Sequence, residues 1–143
     1  MTINHIEGTK LYIGDMYGAS NEKQLLNNGI KYIFNFSSLR LKEYPSITYY
    51  NIDILDNPNQ NILQYFSVVF KEIDKLTNGN ILINCQAGIS RSASMIIGYL
   101  IRKGFTYEKS YDIVKNARSI IKPNKGFVEQ LKFYERALKY STM

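Results

Sequence analysis

Cys85 and Arg91 are the two residues of this chain whose chemistry and spacing fit a reaction at phosphorus. A cysteine thiolate is a strong nucleophile, and the planar guanidinium of an arginine can bind two oxygens of one phosphate. Gly88, between them, permits a tight turn and a close approach of the backbone to a ligand. Ser92 can donate a hydrogen bond to the sulfur and ease its departure from a covalent intermediate. The spacing therefore predicts a nucleophile inside an anion-binding loop.

The segments on either side of this loop predict how it is positioned. Residues 81–83 are uncharged and mostly β-branched, which indicates a strand buried on both faces. Residues 93–101 form an apolar run that is long enough for a buried helix. A loop between a strand and the start of a helix directs backbone N–H groups at one point, and such a point favours negative charge. We therefore expect Cys85 to lose its proton more readily than a free thiol does.

Taken alone, each of these residues has a simpler explanation. A single cysteine in an intracellular protein is usually an inert buried thiol, and Arg91 by itself would be a solvated residue in the first turn of a helix. The joint pattern of Cys85, Gly88, Arg91 and Ser92 between a strand and a helix favours a site instead.

Residues 84–92 resemble the signature loop of the cysteine-dependent protein phosphatases, in which five residues separate the cysteine from the arginine. The details of the loop are similar to those of the dual-specificity subfamily, and the resemblance is most specific over residues 81–100 and 118–131. It implies a protein phosphatase that hydrolyses phosphotyrosine and phosphoserine or phosphothreonine through a cysteinyl-phosphate, with no metal or cofactor. It also implies that the phosphate is bound by Gln86, Ala87, Gly88, Ile89, Ser90 and Arg91.

Asn84 is the one departure of this loop from the family pattern, which has a histidine just before the cysteine. In the family this histidine helps to orient the loop and to ionise the thiol. An asparagine still carries amide donors that can hold the loop partly in shape. We therefore expect weakened rather than abolished catalysis.

A general acid is also required, because an alkoxide or phenolate leaves phosphorus slowly unless it receives a proton. Asp53 and Asp56 both lie between a predicted strand and the next predicted helix. Spacing alone leaves open that Asp56 only caps the turn at residues 57–58, which is a common role for aspartate. The resemblance implies Asp56 as the acid, with Asp53 as the second choice.

Asn124 lies in the second segment of specific resemblance, residues 118–131. There the family's asparagine braces the phosphate-binding loop, which corresponds to residues 85–91 of this chain and is called the phosphate loop below, from behind. Asn124 is also suited to cap the last predicted helix, and the two roles are compatible.

Two other functions remain open beside the protein phosphatase. Asn84 is compatible with a phosphoprotein-binding module that has lost turnover, although binding alone requires neither a nucleophile nor an acid. A phosphatase acting on a phosphoinositide or on an RNA 5′-phosphate ranks lower, because such relatives usually carry extra basic residues within the loop. Here the loop residues Gln86, Ala87, Ile89 and Ser90 are all neutral.

Composition limits the remaining classes of protein. The chain has 143 residues, 45% of them hydrophobic, which predicts a single domain over residues 1–143. One cysteine excludes an internal disulfide, and one histidine, His5, excludes a histidine–cysteine metal cluster. The net charge of +6 is spread along the chain, which favours a solvated surface over nucleic-acid binding. The resemblance, and not the composition, implies phosphorylated proteins as partners, and the oligomeric state stays open.

No apolar run approaches the ~18 residues of a membrane span, and residues 1–5 lack the regions of a signal peptide. The expected compartment is therefore the cytoplasm, or the nucleus that is continuous with it.

The order of predicted elements indicates an α/β domain, with a central, mainly parallel sheet of about five strands flanked by helices. Its ligand site should lie at the carboxyl end of a strand, where Cys85 is placed. The predicted strands cover residues 10–13, 31–36, 47–54 and 81–83. The predicted helices are one capped by Ser20 and containing Leu25 and Leu26, one over residues 62–76, one over 93–101, one capped by Thr106 and reaching Ile121, and one capped by Asn124.

Overall fold

A five-stranded sheet forms the centre of the computed structural model, which describes residues 3–141. The strand order is β1-β2-β5-β3-β4; β1 runs antiparallel to β2, and the other neighbours are parallel. The strands are β1 (Ile3–His5), β2 (Leu11–Gly14), β3 (Ile30–Asn35), β4 (Thr48–Asn51) and β5 (Asn80–Asn84).

Helices cover both faces of this sheet. Four of them, α2 to α5, pack on one face, and α1 packs on the other together with a short 3-10 turn at Gly18–Ser20. The helices are α1 (Glu22–Asn27), α2 (Leu63–Lys75), α3 (Arg91–Arg102), α4 (Tyr107–Ala117) and α5 (Lys125–Ser141). The α/β fold with a five-stranded, mainly parallel sheet is as predicted.

The central position of strand β5 in the sheet explains why its sequence is apolar on both faces. Ile81 and Ile83 face the large core beneath α2 to α5, whereas Leu82 faces the smaller core beneath α1. Six residues separate the strand from helix α3, and residues 92–101 of this helix are all buried. The central strand and the central helix therefore fix the position of the loop that joins them.

Several local predictions were wrong in detail. The N-cap of α1 is Asn21, whose side chain accepts from the N–H of Gln24 over 3.0 Å, whereas Ser20 donates to the carbonyl of Met16. Helix α4 is capped by Thr106 as predicted, but it ends at Ala117. Ile121 therefore lies outside the helix, although it is buried against the core.

The strand boundaries also differ from the prediction. The observed β4 has four residues rather than the eight predicted over 47–54. Strand β1 was not predicted, because three residues are too few to show a period. Met1 and Thr2, on which part of the signal-peptide prediction rests, lie outside the described residues. No helix in the described part of the chain is long and apolar enough to cross a membrane.

Candidate active site

Cys85 lies directly after β5, at the carboxyl end of the central strand. Its side chain is buried, with 2% of the residue exposed. The sulfur lies 3.2 Å from the hydroxyl oxygen of Ser92, which is itself fully buried in the first turn of α3. The structure therefore brings the predicted nucleophile and the predicted sulfur hydrogen-bond partner together.

The loop after Cys85 has its carbonyl groups bound by neighbouring elements. Four successive carbonyl oxygens accept hydrogen bonds from groups outside the loop. The Gln86 oxygen accepts from the N–H of Met16 (3.1 Å), those of Ala87 and Gly88 from the Arg118 side chain (3.0 and 2.9 Å), and that of Ile89 from the N–H of Lys122 (2.8 Å).

The N–H groups of the same loop are left available. Within residues 3–141, none of the backbone N–H groups from 86 to 91 donates to a protein acceptor. Gln86 and Ala87 are exposed, so the loop is open to solvent there. Because the carbonyls are held from outside and the donors are unpaired, the loop is suited to bind an anion.

Gly88 shows why this loop tolerates only a glycine at its centre. Its backbone has a φ of +67°, in the left-handed region that glycine favours. A Cβ atom there would lie 2.8 Å from the carbonyl oxygen of Gly14 and 2.9 Å from Nε of Arg118. The loop is therefore pressed against β2 on one side and against Arg118 on the other.

Arg118 is a component of the site that the sequence analysis missed. It is 7% exposed, and its Nη1 donates to the side chain of Asn4 over 3.0 Å while Nη2 lies 3.5 Å from Asp15. All three of its nitrogens are thus used in fixing the phosphate loop to the rest of the domain. Its place in the segment of resemblance, residues 118–131, was the available signal, but no sequence feature marked the side chain as buried.

Arg91 is the first residue of α3 and connects the loop to the segment after β4. Its Nη1 donates to the carbonyl of Ile54 over 3.0 Å. Because Ile54 is two residues before Asp56, this bond links the predicted phosphate ligand to the segment that carries the predicted acid.

Asp56 and Asp53 have different partners. The Asp56 carboxylate accepts from the side-chain amide of Asn124 over 2.9 Å. The Asp53 carboxylate instead pairs with Arg40 over 3.0 Å, and both side chains of this pair are more than half exposed. Only Asp56 is therefore bonded to a residue that also contacts the phosphate loop.

The segment around Asp56 is held against the start of α5. The side chain of Gln130 accepts from the N–H of Ile62 and donates to the carbonyl of Gln60, each over 2.8 Å. A Cβ atom on Gly126 would lie 1.9 Å from the carbonyl oxygen of Pro58. The backbone of the segment that follows Asp56 therefore packs directly against the first turn of α5 at Gly126.

Asn124 makes the contacts expected of both roles considered for it. Its backbone N–H donates to the hydroxyl of Ser90 in the phosphate loop over 2.9 Å. Its side-chain oxygen accepts from the N–H of Phe127, which caps α5. Asn124 thus connects Ser90 through its backbone N–H, and the helix and Asp56 through its side chain.

Asn84 is fully buried beneath the loop. Its side-chain NH₂ group donates to the side-chain oxygen of Asn35 over 3.3 Å, and its own Oδ1 atom has no hydrogen-bond partner among the described residues. Within residues 3–141, no group of three or more His, Cys, Asp or Glu side chains is arranged to hold a metal ion.

In sequence and in fold, the chain is similar to known phosphatases. The family described as "Dual specificity phosphatase, catalytic domain" matches residues 11–137. A Dictyostelium discoideum protein, named a probable dual specificity protein phosphatase, is 36% identical over 152 residues, covering 96% of this chain and 66% of its own length. The chain spans 66%, 28% and 13% of the length of three curated relatives that it matches.

Two solved structures have closely similar folds. Human DUSP28 has a TM-score of 0.91 at 27% identity, with 97% of this chain and 96% of that one covered. The human tyrosine phosphatase-like serine/threonine/tyrosine-interacting protein has a TM-score of 0.88 at 30% identity, with 96% and 97% covered.

Proposed function

The chain belongs to the dual specificity phosphatase family, and on that premise we propose that it hydrolyses phosphotyrosine and phosphoserine or phosphothreonine in proteins. The observation that carries this proposal is the loop from Cys85 to Arg91. Its sulfur contacts Ser92, the carbonyls of residues 86–89 are bound from outside, and the N–H groups of residues 86–91 are unpaired within the described part of the chain. A thiolate inside a ring of donors is the arrangement that a phosphoryl transfer to sulfur requires.

In the first step the Cys85 sulfur attacks phosphorus, and the bond from phosphorus to the leaving oxygen breaks. Asp56 donates its proton to that oxygen, which leaves as a neutral hydroxyl group of the dephosphorylated protein. Arg91 and the N–H groups of residues 86–91 hold the three equatorial oxygens, over which the charge of the transition state is spread. The product of this step is a cysteinyl-phosphate.

In the second step water attacks the phosphorus of this intermediate. The Asp56 carboxylate accepts a proton from the water, and the bond between phosphorus and sulfur breaks. The electron pair returns to sulfur, where the Ser92 hydroxyl, 3.2 Å away, donates a hydrogen bond to the departing thiolate. Inorganic phosphate is released, and the thiolate is ready for the next cycle.

A second candidate is a phosphoprotein-binding module with weak or no turnover. Two observations favour considering it: Asn84 in place of the family's histidine, and the 30% identity to a human protein described as tyrosine phosphatase-like and interacting. Against it, the chain keeps Cys85, Ser92 and Asp56, none of which binding alone requires. We therefore rank it second.

The deciding experiment is hydrolysis of an aryl phosphate and of phosphopeptides by the wild-type chain and by Cys85→Ser. We expect turnover by the wild type, a cysteinyl-phosphate trapped by acid quenching, and neither in Cys85→Ser. Inorganic phosphate should still raise the Tm of Cys85→Ser, which would show that the loop remains folded.

Two outcomes would contradict the proposal. Turnover retained in Cys85→Ser would remove the nucleophile assignment. A wild type that binds phosphopeptides but does not hydrolyse them, and that does not bind their unphosphorylated forms, would favour the binding module instead. Phosphoinositides and RNA 5′-phosphates belong in the same panel, and a marked preference for either would replace the protein substrate.

A further inference from the structure

Three asparagines lie side by side across the sheet, at the end nearest the phosphate loop. Asn51 of β4 is the register partner of Asn35 of β3, and Asn35 is in turn the partner of Asn84 of β5. Register partners in neighbouring parallel strands project their side chains from the same face of the sheet. Asn35 and Asn84 are fully buried, whereas Asn51 is exposed at the edge. We call this row the asparagine ladder.

Hydrogen bonds run along the asparagine ladder in one direction. The NH₂ group of Asn84 donates to the side-chain oxygen of Asn35 over 3.3 Å. The NH₂ group of Asn35 donates to the side-chain oxygen of Asn51 over 3.0 Å and to the carbonyl of Leu39 over 2.8 Å. The ladder therefore connects the residue before Cys85 to the loop that carries Arg40.

The inner end of the ladder is incomplete. On its other side Asn84 is the register partner of Gly14, which has no side chain to offer. The Asn84 Oδ1 atom is left buried and unpaired within the described residues. Such an atom costs about 1 to 3 kcal/mol, so packing alone does not account for an amide at this position.

We propose that the asparagine ladder is the positioning network for Cys85, and that it orients the sulfur and the phosphate loop from the strand side. This proposal rests on the proposed function and deepens it. Asn84 acts through the backbone it shares with Cys85, and Asn35 holds Asn84 in place. In this chain, the neutral amide of Asn84 therefore takes the position at which the family has a histidine imidazole, and Asn35 supports it.

Backbone contacts support this assignment, because the same row is also anchored through its main chain. The carbonyl of Asn84 accepts from the N–H of Phe36 over 2.8 Å. The carbonyl of Asn35 accepts from the N–H of Ile52 over 2.9 Å. The peptide group that leads into Cys85 is thus held both by its carbonyl and by the side chain of the residue before it. A small rotation of Asn84 would therefore move the sulfur.

The chain offers a direct probe, since Cys85 is its only cysteine. Alkylation by iodoacetamide, followed as a function of pH, reports on this one sulfur, and inorganic phosphate that protects it reports on the loop. We expect Asn35→Ala to change the pH profile of alkylation and to raise the phosphate concentration needed for half-protection by about tenfold. We also expect kcat to fall by about tenfold, within the ~100-fold that a displacement of roughly 1 Å can cost.

Asn80→Ala is the matched control. Asn80 begins the same strand, and its side-chain NH₂ group donates to the carbonyl of Asn28 over 2.8 Å, far from the loop. It should lower the Tm without changing the alkylation profile, the phosphate protection or kcat.

Asn51→Ala keeps the proposal testable if Asn35→Ala fails to fold, because Asn51 is exposed. It breaks the outer bond of the ladder and should change alkylation and phosphate protection in the same direction by a smaller factor. Asn84→His should speed alkylation at neutral pH, because a nearby imidazolium stabilises a thiolate.

Two results would overturn the proposal. The first is that every ladder variant that folds behaves like Asn80→Ala, losing Tm but not altering Cys85. The second is an unchanged alkylation rate in Asn84→His, which would show that position 84 does not act on the sulfur. These readouts need no turnover. A wild type that hydrolyses nothing, with ladder variants that still differ from Asn80→Ala, would refute the proposed function and leave the ladder standing.

Discussion

The side-chain amide of Asn124 donates to the Asp56 carboxylate over 2.9 Å, across 68 positions of sequence. The backbone N–H of Asn124 is bonded at the same time to Ser90 in the phosphate loop. One residue therefore fixes the distance between the proposed general acid and the loop that would hold the phosphate.

Asn124→Ala should reduce both activity and stability. Loss of the cap on α5 costs about 1 kcal/mol. Release of Asp56 should lower kcat about tenfold for substrates with poor leaving groups, which is a part of the ~100-fold or more that general-acid catalysis supplies. Urea unfolding and turnover of alkyl and aryl phosphates measure the two effects separately.

Thr106→Ala is the control for this variant, because Thr106 caps α4 by the same kind of bond, 3.1 Å to the N–H of Lys109. It should lower stability by a similar amount and leave kcat unchanged. Equal losses of kcat in the two variants would mean that Asn124 acts only through the stability of the fold.

Asp56→Asn should lower the rate about 100- to 10,000-fold with alkyl phosphates, and much less with a nitrophenyl phosphate whose leaving group needs no proton. Asp53→Asn should change either rate by less than about twofold, because that carboxylate is exposed and paired with Arg40. Rates for both variants over leaving groups of different basicity decide between them. A larger, leaving-group-dependent loss in Asp53→Asn would transfer the role of acid to Asp53.

Arg118→Lys tests the residue that the sequence analysis missed. A lysine keeps the charge but cannot reach the carbonyls of Ala87 and Gly88 together. Because Arg118 is buried and those bonds are charge-assisted, we expect a loss of about 2 to 4 kcal/mol in the free energy of unfolding. The rise in Tm caused by inorganic phosphate should also shrink, since the loop loses its support.

Arg40→Lys provides the comparison for Arg118→Lys. Arg40 forms an exposed pair with Asp53, and its replacement should cost less than about 1 kcal/mol. If both substitutions have the same small effect on unfolding and on the phosphate-dependent Tm, Arg118 does not support the loop.

The part of the site that could be predicted is local in sequence. Cys85, Gly88, Arg91 and Ser92 lie within eight positions, and a buried strand followed by a buried helix determines how such a loop is placed. That context also leaves the N–H groups of residues 86–91 without protein acceptors among residues 3–141. The catalytic roles of the four side chains stay predictions until the variants are measured.

The rest depended on contacts between distant segments. Arg118 reaches Gly88 over 30 positions and Asn4 over 114, and neither separation produces a pattern in the sequence. The asparagine ladder requires the register of three strands, which no single strand reveals. Ile121 was placed in a helix because it is apolar at the expected spacing, but it is buried by packing after the helix has ended.

Asp74 provides a pH-dependent contribution to stability that is remote from the site. Burial on its own would raise the pKa of the Asp74 carboxyl, but hydrogen bonds from Lys103 (2.8 Å) and Tyr99 (2.7 Å) outweigh it and leave that pKa below its ordinary value of 3.8. Burial, with the bond to Asp74, also raises the pKa of Tyr99. A carboxyl whose pKa is lower in the folded state stabilises the fold above the unfolded-state value, and this contribution is lost as the pH falls through the folded-state value.

Asp74→Asn should therefore lower the free energy of unfolding at neutral pH and have progressively less effect below about pH 3.8. The loss should stay under about 1 kcal/mol, because the Lys103 and Asp74 side chains are 43% and 38% exposed and solvent screens their attraction. Urea unfolding at a series of pH values measures the difference. Tyr99→Phe removes one donor and should retain a smaller pH dependence. A gap between wild type and Asp74→Asn that stays constant from neutral to acidic pH would show that the ionisation of Asp74 is not the source of the stability.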